Sequence, residues 1–376
     1  MKSVGIICEY NPFHNGHLYH INKIKDMFPD YTIILVMSSS FTERGEVSIV
    51  NKFDKAVVAL NYGVDLVVEL PFVFSCQAAD IFAKGSISIL NYLNCEYLVF
   101  GSELDNIDII KKQAEIQTKN KDYDKLVKDY MKEGINYPTA MNKALTKLGG
   151  NSISTPNDLL GLSYIKEIIK NKYNITPISI KRTNDYHSLD VKGEIISASA
   201  IRNLINNKKR IKKYVPSFSY KYINKKNIND KLFEFLKYKI NSDNNLSLYQ
   251  DVDEGIENRI KKYINDSKNL DDFILKVKTK RYTYNKISRM LIHILCSFTK
   301  EEAKNNKEIS YLRILGFNDN GKKYLNKIKK SVNIPIITNP RNFDDDILNI
   351  EERITNIYNL ITENNINDKL EKPIMK

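Results

Sequence analysis

The chain has 376 residues, 42% hydrophobic and 27% charged, enough for more than one packed core and unlike a disordered tail. Its 58 Lys and Arg against 45 Asp and Glu leave a formal net charge of +13, which draws polyanions and makes nucleic acid the expected partner. Cys8, Cys76, Cys95 and Cys296 form no Cys-x-x-Cys pair, so neither a zinc site nor a disulfide scaffold is expected. The start is too short an apolar run for a signal peptide, and no stretch approaches the roughly 20 apolar residues of a membrane helix. A cytoplasmic protein without a membrane partner is the expectation.

Four short apolar runs, Ser3 to Cys8, Thr32 to Met37, Asp65 to Leu70 and Tyr97 to Phe100, read as strands buried on both faces. Between them His17 to Met27, Lys52 to Tyr62 and Ala78 to Leu93 carry helical spacing. This alternation predicts an α/β fold, a Rossmann-like doubly wound parallel sheet whose ligands sit beyond the carboxyl ends of the strands. Asp105 to Leu148 reads as mainly helical. A helix follows from Ser154-Thr155-Pro156-Asn157 to about Ile169, then a strand at Pro177 to Lys181 and a helix from about Ala200. From about Asn207 the composition shifts to Lys, Asn, Ile and Tyr. We therefore expect an α/β domain over 1–206 and a mainly helical, basic domain over 207–376, with a small strand-helix-strand element near Tyr311 to Thr338.

The loop Glu9-Tyr10-Asn11-Pro12-Phe13-His14-Asn15-Gly16-His17 joins the first strand to the first helix, and it gathers, with His20, three of the chain's five histidines. A helix N-terminus offers unpaired N–H groups and partial positive charge. Gly16 would let a phosphate approach the backbone, and two imidazoles three apart would donate to its oxygens. Such donors stabilise charge on a transferring phosphoryl group. Further on, Ser197 and Ser199 of Ile196-Ser197-Ala198-Ser199-Ala200-Ile201-Arg202 offer hydroxyls at another helix start, and Arg202 offers a fork of donors for phosphate oxygens. Helix capping is the alternative role of these serines.

The first loop resembles the His/Thr-x-Gly-His signature of the nucleotidyltransferase superfamily, and Ile196 to Arg202 is similar to its Ile-Ser-x-Ser-x-Ile-Arg signature. The resemblance narrows to the tRNA(Met) cytidine acetate ligase family. Gly5 to Leu18 looks like that family's opening, and later stretches match as well: Phe41-Thr42-Glu43-Arg44-Gly45-Glu46, Glu69-Leu70-Pro71-Phe72, Phe100-Gly101-Ser102-Glu103, Pro156 to Gly161, Lys181-Arg182-Thr183 and Tyr186-His187-Ser188. Similarity resumes at Arg281 to Met290.

The resemblance implies an ATP-dependent ligase that activates acetate as acetyl-adenylate and acetylates N4 of the wobble cytidine of elongator tRNA(Met). It implies ATP contacts at Ile7, Cys8, Glu9, Tyr10, Asn11, Pro12, Phe13, His14, Asn15, Gly16, His17, Leu18, Tyr19, His20, Gly101, Asn157, Arg182 and Thr183. His14, His17, Ser199 and Arg202 would then be catalytic, with magnesium accompanying the triphosphate but no protein ligand for it named.

For RNA, the basic run Lys208-Lys209-Arg210-Ile211-Lys212-Lys213 offers phosphate contacts. Arg281, Lys286 and Arg289 interleave with Tyr282 and Tyr284, a pattern suited to phosphates and unpaired bases, though Tyr284, Ile287, Met290 and Leu291 also fit the buried face of a helix. Arg44 is a further candidate for RNA or acetate, and His187 for a ribose or the cytidine. A small-molecule adenylyltransferase and a nucleotide-regulated RNA-binding protein without catalysis remain the alternatives.

Overall fold

The computed structural model describes residues 1–135, 137–182 and 193–376. Its strands are β1 Lys2–Cys8, β2 Tyr31–Ser38, β3 Leu66–Leu70, β4 Tyr97–Ser102, β5 Thr176–Lys181, β6 Leu312–Phe317, β7 Ile336–Ile337 and β8 Ile374–Met375. They form one sheet in the order β5-β4-β1-β2-β3-β6-β7, with β8 also paired to β6. β5, β4, β1, β2 and β3 run parallel. The chain steps outward from β1 to β3 and then returns to β4 on the other side, so the strand order reverses between β1 and β4. In a sheet of this kind that is where a ligand crevice opens.

Alternate side chains of the strands face opposite cores, as the period of two requires. Ile34, Val36, Leu66, Val68 and Leu98 lie on one side, and Val4, Ile6, Ile33, Leu35, Val67 and Val99 on the other. Helices Asn15–Met27 and Lys52–Asn61 bury Ile21, Ile24, Ala56 and Leu60 in the second core. Helices Ala79–Tyr92 and Pro156–Asn171 bury Phe82, Ile87, Leu162 and Ile165 in the first. The stretch expected to be mainly helical holds helices Ile107–Lys119, Tyr123–Lys132 and Tyr137–Lys147.

The sheet draws strands from both sides of residue 206. β6 pairs antiparallel with β3, Leu66 opposite Phe317 and Val67 opposite Gly316, and so covers what would be an open edge. Beyond residue 206 the helices include Ile228–Ser242, Ile256–Tyr263, Leu270–Val277, Tyr284–Leu295, Lys300–Asn305, Asp319–Ile328 and Asp346–Thr362. Their buried Leu236, Phe273, Ile287 and Ile294 share one continuous core with Ile34 and Val36 of the sheet.

An ionic cluster under the sheet's edge binds these parts together. Lys52 Nζ lies 2.6 Å from Glu69 Oε1 and 2.7 Å from Asp368 Oδ1. Arg313 of β6 reaches Asp368 at 2.9 Å, and Ser39 donates to Glu351 at 3.1 Å. All five charged residues are buried. Burial works against Asp368, yet the Lys52 and Arg313 charges hold its carboxyl below the usual range. Burial beside Glu69 pushes Glu351 up.

Candidate active site

β1 ends at Cys8 and helix Asn15–Met27 begins at the switch point, so the intervening loop lies where the sheet opens. His14 is the N-cap. Its Nδ1 accepts the Gly16 backbone N–H at 3.0 Å, and His17 Nδ1 accepts that of His14 at 3.2 Å. Two histidines thus make a reciprocal capping box, a task usually given to Ser or Thr and Glu. The imidazoles lie with ring centroids 3.9 Å apart.

Burial lowers the His14 pKa to about 3, with the Arg182 and Arg202 charges adding to it. Burial first, and then His14 and Arg182, depress His17 well below the usual value. Both rings are therefore neutral at neutral pH. A neutral imidazole whose Nδ1 accepts a bond carries its proton on Nε2, so each ring has an Nε2–H to donate.

The rest of the loop is scaffold. Tyr10 and Phe13 are buried, their rings 4.8 Å apart, and Phe13 stacks on Tyr62 at 5.1 Å. Asn11 is buried too, its Oδ1 accepting the Ile49 N–H at 2.9 Å. Asn15 donates to the carbonyls of Glu194 at 2.8 Å and Lys213 at 2.9 Å. These side chains are spent on the protein, so a nucleotide would meet Tyr10, Asn11 and Phe13 through main chain. The space above Gly16 is filled as well. A Cβ there would come within 2.8 Å of His14 Cε1, so the glycine lets the imidazole, not only a phosphate, lie on the backbone. Leu18 packs against the second core and Tyr19 lies against Lys23. Burial lowers the His20 pKa to about 4, with Arg182 adding to it.

Lys55 locks the base of the site. Its buried ammonium donates to the carbonyls of Ser38, Ser39 and Glu9 at 2.7, 2.8 and 3.1 Å, using all three N–H bonds. Burial lowers its pKa to about 7. Glu9, pushed up to about 7 by burial, accepts the Glu43 N–H at 2.7 Å. Sequence reasoning gave no role to Lys55, or to Glu43 and Glu46 within the matching stretch Phe41 to Glu46. A lysine inside a helical run of Val, Ala and Phe is the one signal that marked the first of them.

Across the switch point, Arg182 follows β5 and its Nε lies 3.5 Å from Glu103 Oε1, while Asn157 donates to the same oxygen. A Cβ on Gly101 would meet Arg182 Cγ at 3.1 Å, so the glycine lets that side chain lie close over the end of β4. Ser197 caps helix Ala198–Asn206 by accepting the Ala200 N–H at 3.1 Å, the capping alternative. Arg202 points back to the first loop, donating to the Asn11 carbonyl at 2.6 Å and to Ser199 Oγ at 3.2 Å. The Arg182 and Arg202 charges act on His14, and Ser199 bonds Arg202, so His14, His17, Arg182, Ser199 and Arg202 gather near the end of β1. Thr183 and His187 lie outside the described residues.

The RNA candidates divide. Lys208, Lys209, Arg210, Lys212 and Lys213 are exposed. Arg281, Tyr284 and Lys286 also reach the surface, wholly or in part, Arg281 beside Glu254 at 3.2 Å and Tyr284 donating to Asp271 at 2.6 Å. Two expectations are corrected. Tyr282 is buried, its hydroxyl donating to the Asp253 carbonyl at 2.7 Å. Arg289 turns inward to Glu43, at 3.3 Å from its carboxylate. Of the helix-face alternative, Ile287, Met290 and Leu291 are buried while Tyr284 is 37% exposed. Arg44 is partly buried in the loop after β2. Among the described residues no group of three or more His, Cys, Asp or Glu is placed to hold a metal ion, and no helix is long and apolar enough to cross a membrane.

A parallel sheet with paired histidines capping the helix after β1, and a Ser/Arg helix facing them, defines a nucleotidyltransferase. The HIGH Nucleotidyl Transferase family matches residues 1–372. The tRNA(Met) cytidine acetate ligase of Anoxybacillus flavithermus is 41% identical over 378 residues, 95% of this chain and 94% of that one. That of Clostridium tetani is 38% identical with both chains covered in full. Thermotoga maritima TmcAL bound with alpha-thio ATP superposes with a TM-score of 0.88 at 30% identity, covering 100% of this chain and 99% of that one. Its apo form gives 0.90. This chain belongs to the tRNA(Met) cytidine acetate ligase family.

Proposed function

We propose that the protein joins acetate to ATP as acetyl-adenylate and passes the acetyl group to N4 of the wobble cytidine of elongator tRNA(Met). The observation that carries the chemistry is the His14/His17 pair: two neutral imidazoles at a helix N-terminus, each held by its Nδ1 so that Nε2–H can donate, with no partner for it among the described residues. An acetate oxygen attacks the α-phosphorus and the bond to pyrophosphate breaks. Charge grows on the phosphate oxygens, where preorganised donors act with little reorganisation. Arg182 and Arg202 supply the cationic side of the crevice. Magnesium would accompany the triphosphate as part of the substrate, neutralising phosphate charge.

In the second half, the N4 amine attacks the acetyl carbonyl carbon, the bond to AMP oxygen breaks, and N4 loses a proton. The RNA surface we assign to this step is the run 208–213, whose basic residues are exposed. Asn15, the first residue of the histidine helix, is bonded to the carbonyls of Lys213 and Tyr214, so an RNA backbone on this run lies beside the nucleotide. Tyr220 extends the surface, with Lys225 Nζ 4.1 Å and Lys212 Nζ 5.5 Å from its ring centroid. We further assign the described residues beyond 206 chiefly to RNA binding, and those before it to adenylation.

Acetate-dependent exchange of labelled pyrophosphate into ATP tests the first half. Exchange that requires acetate supports acetyl-adenylate formation. Exchange driven by another small-molecule acceptor and not by acetate favours a small-molecule adenylyltransferase, and none with any acceptor favours a nucleotide-regulated binding protein.

A further inference from the structure

We infer that Glu46 is a positioning residue for Arg202, and that helix Tyr284–Leu295 sets Glu46 through the loop 42–46; the inference rests on the reading of Arg202 as an ATP contact.

Arg202 is mostly buried and its guanidinium has five N–H bonds to give. One goes to the Asn11 carbonyl, one to Ser199 Oγ, and one to Glu46 Oε2 at 2.5 Å. Among the described residues this leaves the Nε–H and one further N–H for a ligand. The Glu46 carboxylate is the anionic partner among the three, so it contributes the charge-assisted bond that fixes the plane of the fork. An arginine held in this way has already lost much of its rotamer freedom before a triphosphate arrives.

The loop that presents Glu46 is itself pinned. Phe41 and Val47 close it as an antiparallel bridge, the Thr42 N–H donates to the Glu46 carbonyl at 3.0 Å, and Thr42 Oγ1 accepts the Glu46 N–H at 3.1 Å. Gly45 sits at φ +72°. A Cβ on it would run into the backbone nitrogen of Arg289, so glycine is required both by conformation and by the close approach of the helix. Ser288 Oγ donates to the Gly45 carbonyl at 2.9 Å, and Arg289 donates to the Glu43 carbonyl at 3.1 Å. Neighbouring loop residues therefore face different partners: Glu43 and Gly45 the helical part, Glu46 the arginine of the nucleotide site. Helix Tyr284–Leu295 begins directly after the basic segment at 276–281. Its seating thus bears on the ATP site without any of its residues touching ATP.

The test measures the ATP dissociation constant by titration calorimetry, the KM for ATP, and the dissociation constant for tRNA. The variants are Glu46→Gln, Glu46→Asp, Arg289→Ala and the double variant Glu46→Gln/Arg289→Ala. Glu46→Gln should weaken ATP binding about tenfold, the loss of one charge-assisted bond, with tRNA binding unchanged and Glu46→Asp recovering part of the loss. Arg289→Ala should give the same signature to a smaller degree, and the double variant should be no worse than Glu46→Gln alone within about twofold. Unchanged ATP affinity in Glu46→Gln would overturn the inference. So would an additive double variant, or an Arg289→Ala that loses tRNA and keeps ATP. A wild-type chain that binds ATP but does not turn over acetate would count against the proposed function and leave this readout standing.

Discussion

His14 and His17 cap the same helix reciprocally, each accepting at Nδ1 a backbone N–H of the first turn. The cap fixes the tautomer, and the tautomer turns each ring into a donor at the carboxyl end of β1. On the proposed function, stability and chemistry meet in the same two side chains.

Replacing either histidine with alanine should lower acetate-dependent turnover by about 100-fold or more, the usual effect of removing one preorganised donor to a developing oxyanion. Stability should fall by about 1 kcal/mol from the lost cap. Binding of tRNA should be unchanged by filter binding, because neither ring lies on the exposed basic run. Wild-type turnover in either variant would remove the assignment.

The histidines also set a pH response. Burial lowers the pKa of His14 to about 3 and that of His20 to about 4, against 6.5 in the open chain. The unfolded chain therefore takes up protons near pH 6.5 that the folded chain refuses until much lower. The stability from these groups is fully present above pH 6.5 and is lost as the pH falls toward 3. Urea midpoints should decline through this window, and His14→Gln should flatten the decline. An unchanged slope in that variant would place the response elsewhere.

Lys52 neutralises Glu69 and Asp368 in a site closed to water. Lys52→Met should destabilise the fold by about 3–5 kcal/mol, because it leaves buried carboxylates short of a partner. Lys226→Met, which breaks an exposed pair with Glu363, should leave the urea midpoint unchanged. Chemical denaturation of the two variants side by side checks both.

Exchanging Lys208, Lys209, Arg210, Lys212 and Lys213 for glutamine should weaken tRNA binding and flatten the dependence of log K on log salt by up to about one for each phosphate no longer neutralised. The ATP dissociation constant should not move by more than about twofold. An unchanged salt slope would show the run to be solvated and unused.

The parallel sheet was legible because each strand is a short apolar run flanked by a helical pattern, and the histidine loop because its position after β1 gives its residue types a meaning. The partners of those residues were not legible. Glu43, Gly45 and Glu46 act through contacts with Arg289, Ser288 and Arg202, far away in the chain, and nothing local marks which acid meets which base. Tyr282 and Arg289 were expected at the surface because alternating aromatic and basic residues suit RNA. Packing of the segment against Asp253 and the loop 42–46 turned both inward. The antiparallel arrival of β6 on β3 is equally a matter of long-range pairing, since Leu312 to Phe317 reads as a buried strand without naming its neighbour.

The central claim is tested most directly by incubating the purified chain with ATP, labelled acetate and elongator tRNA(Met) carrying either its wobble cytidine or a uridine in that place. The account predicts label in the RNA only when ATP and the cytidine are both present. Labelling without ATP, or equal labelling of the two RNAs, would contradict it.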